Sequence, residues 1–98
     1  MAKSIIQTDC TKCFICGRNG AADHLEKHHI FGAADRKKSE KDGLTVYLCG
    51  DRCHRNGSGS AHRNSDTADT LKTLAQRAWM NRFGNGEDFM ERYGENYL

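Results

Sequence analysis

Two pairs of cysteines constrain this chain more than any other feature of it. Cys13-Phe14-Ile15-Cys16-Gly17 is a C-x-x-C turn, and Cys49 and Cys53 form a C-x₃-C pair much further along. Two thiolates offered from one tight turn, with a following glycine that lets backbone N–H groups face sulfur, are half of a tetrahedral Cys₄ metal site. The second pair completes it, and zinc is the ion that this spacing predicts. Four protein ligands close such a site, so the expected zinc is structural rather than catalytic. Cys10 precedes Cys13 at the same C-x-x-C spacing, but only Cys16 is followed by glycine, which favours the Cys13/Cys16 pair. Whether Cys10, or His54 beside Cys53, joins the site stays open at this level.

A metal staple is what the composition calls for. The chain has 98 residues, 37% of them apolar and 29% charged, enough for one domain over 1–98 with a thin core. A chain of this size buries only ~60–68% of its unfolded surface. The alternative staple, disulfides, needs an oxidising compartment. The start, MAKSIIQTDC, has no apolar run of signal-peptide length, and no stretch approaches a membrane span. The two cysteine pairs are therefore read as metal-binding, with Cys10 a free thiol unless it joins them, in a cytoplasmic protein, in a bacterial host cell if the source suggested below holds.

Periodicity divides the chain in two. Residues 4–7 (SIIQ) read as a short strand, 25–31 as a strand carrying the histidine pair, and 44–49 (LTVYLC) as the clearest strand, rich in β-branched and aromatic residues. Between the last two, 32–43 (GAADRKKSEKDG) reads as a charged loop between glycines, and the Gly and Ser residues of 50–62 argue against an unbroken helix there. From Asp66 the period becomes helical: Leu71, Leu74, Ala75, Ala78, Trp79 and Phe83 recur on one face, with Ser65 or Asp66 as N-cap and Gly84 as stop. A second helix over about 86–93 carries Phe89, Met90 and Tyr93 and stops at Gly94. Trp79, Tyr93 and Tyr97 are expected in the core.

The formal charge is +2, well short of the excess that announces nucleic-acid binding by itself. It is unevenly placed. Arg36, Lys37, Lys38 and Lys41 follow the histidine pair, and Arg52, Arg55 and Arg63 surround the second cysteine pair. On charge alone these are also what a solvated surface looks like.

The histidines give the charges a context. His28 and His29 are adjacent, His54 follows the last cysteine, and His62 lies downstream. C-x-x-C, then His-His, then a strand ending in Leu-Cys with Cys-His beyond it ("VYLCGDRCH", 46–54), then a further His, resembles the HNH (ββα-metal) endonucleases in their zinc-stapled treble-clef form. The likeness covers roughly residues 10–64. More narrowly, "KHHIFG" with the tail "FMERYGENYL" looks like small proteins of bacterial prophages. The resemblance implies an α+β fold: a treble-clef (ββα-metal) core over about 10–64 followed by a C-terminal helical pair over about 65–98. It further implies that His28, His54 and His62 bind a catalytic divalent ion (Mg²⁺, Mn²⁺ or Ni²⁺) and that His29 is the general base. Asn56 or Asn64 are alternative ligands. Successive residues of a strand face opposite ways, which suits a ligand next to a base. Imidazole titrates close enough to neutrality to take a proton from water. Where the family carries an asparagine before its last strand, to hold the loop and orient the base, this chain has Asp42 or Gly43.

Three functions follow as expectations. The first is a phage or prophage HNH-type endonuclease or nickase acting on DNA, with Arg36, Lys37, Lys38 and Arg55 on phosphates. The second is a catalytically silent binding module on the same zinc scaffold, such as a phage inhibitor of a host defence nuclease in the manner of anti-CRISPR proteins, with Trp79 and Phe89 of the helical pair as a contact surface. The third is a DNA-binding module of a phage packaging or replication complex. The loop over 56–60 reads as a connector, with a phosphate site as its alternative.

Overall fold

Five-residue strands over Leu25–His29 (β1) and Thr45–Cys49 (β2) pair antiparallel, with His28 opposite Val46 and His29 opposite Thr45. The computed structural model describes residues 3–98. Cross-strand partners share a face. Glu26, His28, Val46 and Leu48 therefore lie on one side of the sheet, and Leu25, Lys27, His29, Thr45, Tyr47 and Cys49 on the other. Val46, Leu48 and Cys49 are fully buried, so β2 is the covered strand expected from its composition. Ile30 and Phe31, expected in the first strand, leave the ladder but remain in the core.

The connection between the strands is not the expected charged loop. A short 3₁₀ turn over Ala33–Asp35 leads into a helix, Arg36–Asp42 (α1), which ends at Gly43. No apolar stripe announces this helix because its buried residues are polar. Ser39 donates to the Leu44 carbonyl at 2.6 Å and accepts from the Phe31 amide at 3.4 Å, and Asp42 is the other buried residue. Gly43 is required twice over. Its φ of 76° is left-handed, and a Cβ there would stand 2.3 Å from the Lys3 carbonyl.

Residues 4–7 do not form the expected strand either. The Ser4 hydroxyl accepts from the amides of Ile6 and Gln7 and so bends the segment. The Gln7 side chain then meets β2 where a neighbouring strand would have, accepting from the Tyr47 amide at 2.7 Å.

Helix α2 (Ser65–Arg82) is capped by Asn64, one residue before the expected caps, through its side chain and the Thr67 amide. Helix α3 (Gly86–Tyr93) matches its expected span. Asn85 and Asp88 form a reciprocal capping box, and Gly94 closes the helix at φ 82°. Phe31, Trp79, Phe89 and Tyr93 pack as an aromatic cluster, the Phe31 and Tyr93 ring centroids 4.6 Å apart. Trp79 and Phe89 are thereby 6% and 0% exposed, so they are core and not the contact surface expected of the helical pair. Among the described residues no helix is long and apolar enough to cross a membrane.

One carboxylate ties these helices to α1. Asp42 accepts from Trp79 Nε1 at 2.9 Å, from Tyr93 Oη at 2.7 Å, and from Arg92 through Nε and Nη2 at 2.6 and 2.9 Å. Asp42→Ala strands the donors of three side chains in or near the core, and its expected cost is about 3 kcal/mol in urea unfolding. A loss below about 1 kcal/mol would show that apolar packing alone docks the helical pair.

Candidate metal centres

The first centre is built on the turn that holds Cys13 and Cys16. Gly17, at φ 78°, returns its amide to the Cys13 carbonyl at 2.9 Å, and the Phe14 amide donates to the Tyr47 carbonyl at 2.8 Å, which fastens the turn to β2. Cys49 is the last residue of β2. The chain then runs through a single π-helical turn, Gly50–Arg55, which carries Cys53. The wider π turn accommodates the extra residue of the C-x₃-C pair. The sulfurs of Cys13, Cys16, Cys49 and Cys53 all lie within 4.8 Å of one another, with Cys16 and Cys49 3.5 Å apart. Metal–sulfur bonds near ~2.3 Å around a tetrahedral ion need sulfurs about 3.8 Å apart, so the cluster can hold a metal ion.

The thiols' acidities fit that reading. Burial pushes Cys49 up to about 12, and hydrogen bonding to its neighbours adds to the rise. Burial, above all, raises Cys53 further still. Burial acts the same way on Cys13 but is outweighed by backbone N–H groups of Cys16, Cys49 and Ile15, which bring it down to about 7. Sulfurs this close cannot all ionise without a cation among them. Cys10 lies outside the cluster, its thiol on the Gln7 carbonyl, and His54 belongs elsewhere.

The second centre gathers His28, His54 and His62, whose nearest ring nitrogens also lie within 4.8 Å of one another. His28 comes from β1 and His54 from the π turn. His62 arrives because the Gly-Ser loop folds back: the Ala61 amide donates to the Cys53 carbonyl at 2.8 Å and the His62 amide to the His54 carbonyl at 3.1 Å. Within the loop, Gly57 approaches so closely that a Cβ would stand 2.0 Å from the Arg52 carbonyl. The amides of Asn56, Gly57 and Ser60 bond to carbonyls of the chain itself, which is the arrangement of a connector.

His54 presents its Nδ1 to Glu26 at 2.8 Å, and its Nε2 stands 3.1 Å from His62 Nε2. A carboxylate behind one ring nitrogen directs the other towards a cation. His54 in turn holds the Glu26 carboxyl below the usual carboxylate range. Burial, then the neighbouring imidazoles, lowers His28 to about 4, and burial also lowers His62. Both shifts favour the neutral imidazole, the form that ligates. Asn56 and Asn64 are occupied elsewhere, Asn56 with Asp51 and Asn64 with the Ser58 carbonyl and the α2 cap.

His29 lies on the opposite face of the sheet from His28. Its Nε2 is 2.9 Å from Glu40 Oε1, and Lys27 Nζ reaches the same oxygen at 2.8 Å. That face also borders a groove of about 600 Å³ lined by Lys3, Gln7, Lys27, Thr45 and Tyr47. His24 is exposed. Of the expected phosphate contacts, Arg36, Lys37 and Arg55 are exposed and Lys38 is half-buried. Lys38 donates to the Arg92 carbonyl and pairs with Asp35, and Arg55 pairs with Glu26 and donates to the Gly50 carbonyl. Reading the sequence missed two carboxylates, Glu26 and Glu40. Period-two alternation from His28 would have placed Glu26 on the same face as the histidine cluster, whereas Glu40 belongs to the helix that was not foreseen.

Stripping metal with a strong chelator is expected to lower the melting temperature by at least about 10 °C. Cys16→Ser should lose the bound ion or unfold, and Cys10→Ser should change neither metal content nor melting. An unaltered melting curve for Cys16→Ser would remove the structural role of the cluster. No family model, curated protein or solved structure matches the chain, so the chemistry of the two clusters carries the functional reading.

Proposed function

We propose that this protein is a metal-dependent endonuclease or nickase of the HNH (ββα-metal) kind, hydrolysing phosphodiester bonds of DNA. Its fold is then a treble clef, with zinc on Cys13, Cys16, Cys49 and Cys53 as a structural ion. The observation that carries the reading is the division of labour at the histidine pair. His28 converges with His54 and His62, while His29 stands on the other face of β1 against a carboxylate. The chain's resemblance to prophage proteins makes a phage the proposed source.

On this reading His28, His54 and His62 hold a divalent ion, with Glu26 fixing the ring of His54. That ion, when bound, supplies Lewis acidity towards the scissile phosphate and the departing oxygen. Mg²⁺, Mn²⁺ and Ni²⁺ are the candidates. His29 accepts a proton from water as the water oxygen attacks phosphorus. One P–O bond forms, one breaks, and the leaving oxygen departs on the far side. Arg36, Lys37 and Arg55 are exposed cations available to DNA phosphates, and they make binding salt-sensitive and largely independent of sequence.

A second reading, a silent binding module such as a phage inhibitor of a host nuclease, draws on one feature. Phe14, Ile15, Leu71 and Leu74 line a groove of about 400 Å³ beside the cysteine turn, with Ile15 41% and Leu74 40% exposed. Apolar surface of this kind suits a protein partner.

Purified protein incubated with supercoiled plasmid and each of the three ions separates the two. Wild type is expected to nick, and His29→Ala to lose about 10²–10⁴-fold in rate while keeping its bound zinc and melting temperature. No cutting in any ion, from protein that retains its zinc, would hand the reading to the binding module.

A further inference from the structure

Resting on the nuclease reading, we propose that Glu40 is the positioning residue of His29: its carboxylate accepts the Nε2–H and leaves Nδ1 as the atom that takes the proton of the attacking water. The contact is 2.9 Å, and neither side chain is loose, His29 being 14% and Glu40 28% exposed. A neutral imidazole carries one proton, so a carboxylate on one nitrogen fixes both the tautomer and the plane of the ring. Without that partner the ring can turn about its χ2 torsion and present either nitrogen to the substrate.

Glu40 is itself held from several directions. Lys27 Nζ contacts both carboxylate oxygens, at 2.8 and 2.9 Å, and this hydrogen bond, followed by that of His29, keeps the carboxyl below its usual range and ionised. The backbone of Glu40 lies between two anchored residues of α1: Ser39, bonded to the Leu44 carbonyl, and Asp42, bonded to Trp79, Arg92 and Tyr93.

The same geometry explains how the chain manages without the asparagine its resemblance leads one to expect. Asp42, one of the two residues at that place, faces the helical core and has its oxygens filled by Trp79, Arg92 and Tyr93. Gly43 has no side chain, and its carbonyl accepts from the Ile5 amide. Glu40, one α-helical half-turn earlier, is the acceptor that meets His29.

Two measurements on the full-length, zinc-loaded chain test this. Long-range ¹H–¹⁵N NMR reads the tautomer of His29, and cleavage of a short DNA duplex gives kcat and KM. The expected results are an Nε2–H tautomer in wild type, lost in Glu40→Ala, with kcat down roughly 10–100-fold and KM within about twofold. Glu40→Gln, whose amide oxygen can still accept the Nε2–H, should keep the tautomer and recover most of the rate. An Nδ1–H tautomer in wild type overturns the proposal. So does an Glu40→Ala variant that cuts at the wild-type rate, which would reduce Glu40 to an ion-pair partner of Lys27 and leave the nuclease reading intact. A wild type that cuts nothing overturns the nuclease reading itself, and the proton transfer with it, whatever the tautomer.

Discussion

Four sulfurs within 4.8 Å of one another hold together parts of the chain that have little else in common. A pair of five-residue strands is not stable on its own, and the sheet here has no third member among the described residues. The cysteine cluster joins the 13–16 turn, the end of β2 and the π turn at one point. Through the chain it reaches further. Cys53 and His54 are consecutive, and the carbonyls of both accept amides from the segment that ends in His62. Closing the cluster therefore also sets two of the three imidazoles of the other centre. The two candidate metal centres are separated by a single peptide bond.

At the other end of the sheet a second polar device does similar work. Asp42 gathers donors from α2 and α3, and the aromatic rings of Phe31, Phe89 and Tyr93 close over the apolar side. Because Asp42 belongs to α1, the C-terminal helices brace the element that presents Glu40 to His29. The helical pair is thus more than a solubilising appendage to the cysteine-clustered core. Its buried aromatic residues fix the position of a carboxylate that they do not themselves contact.

How much of this could be read from the residues follows a physical rule. Elements with an apolar period or a strong cap were legible. β2 has its β-branched and aromatic run, α2 its helical spacing, and α3 its terminal Gly94. The Cys₄ grouping was legible from spacing alone. Elements that bury polar side chains were not. α1 hides Ser39 and Asp42 instead of leucines, so its charges looked like those of a loop. The segment over 4–7 has the isoleucines of a strand, but the Ser4 hydroxyl captures two amides that a ladder would have used. His54 and His62 were placed at one ion only through the resemblance, because the fold-back of the Gly-Ser loop that joins them depends on close backbone approach at Gly57, which composition does not reveal.

The division between His28 and His29 depends in the end on register. In a strand a slip of one residue exchanges every side chain between faces. Such a slip of β1 would turn His29 towards His54 and His62 and set His28 against Glu40, and Glu26 would leave the side of the sheet where it holds His54. Register is therefore pinned at both ends. At one end Cys49, paired with Leu25, is committed to the cysteine cluster, and the Gly50 amide donates to the His24 carbonyl at 2.8 Å. At the other, the Ile30 amide donates to the Leu44 carbonyl, which also receives the Ser39 hydroxyl from α1. A cluster of thiols that could hold a metal ion thus also decides which of two adjacent imidazoles joins His54 and His62 and which faces a carboxylate. That choice is what separates a ligand from a base in the proposed chemistry.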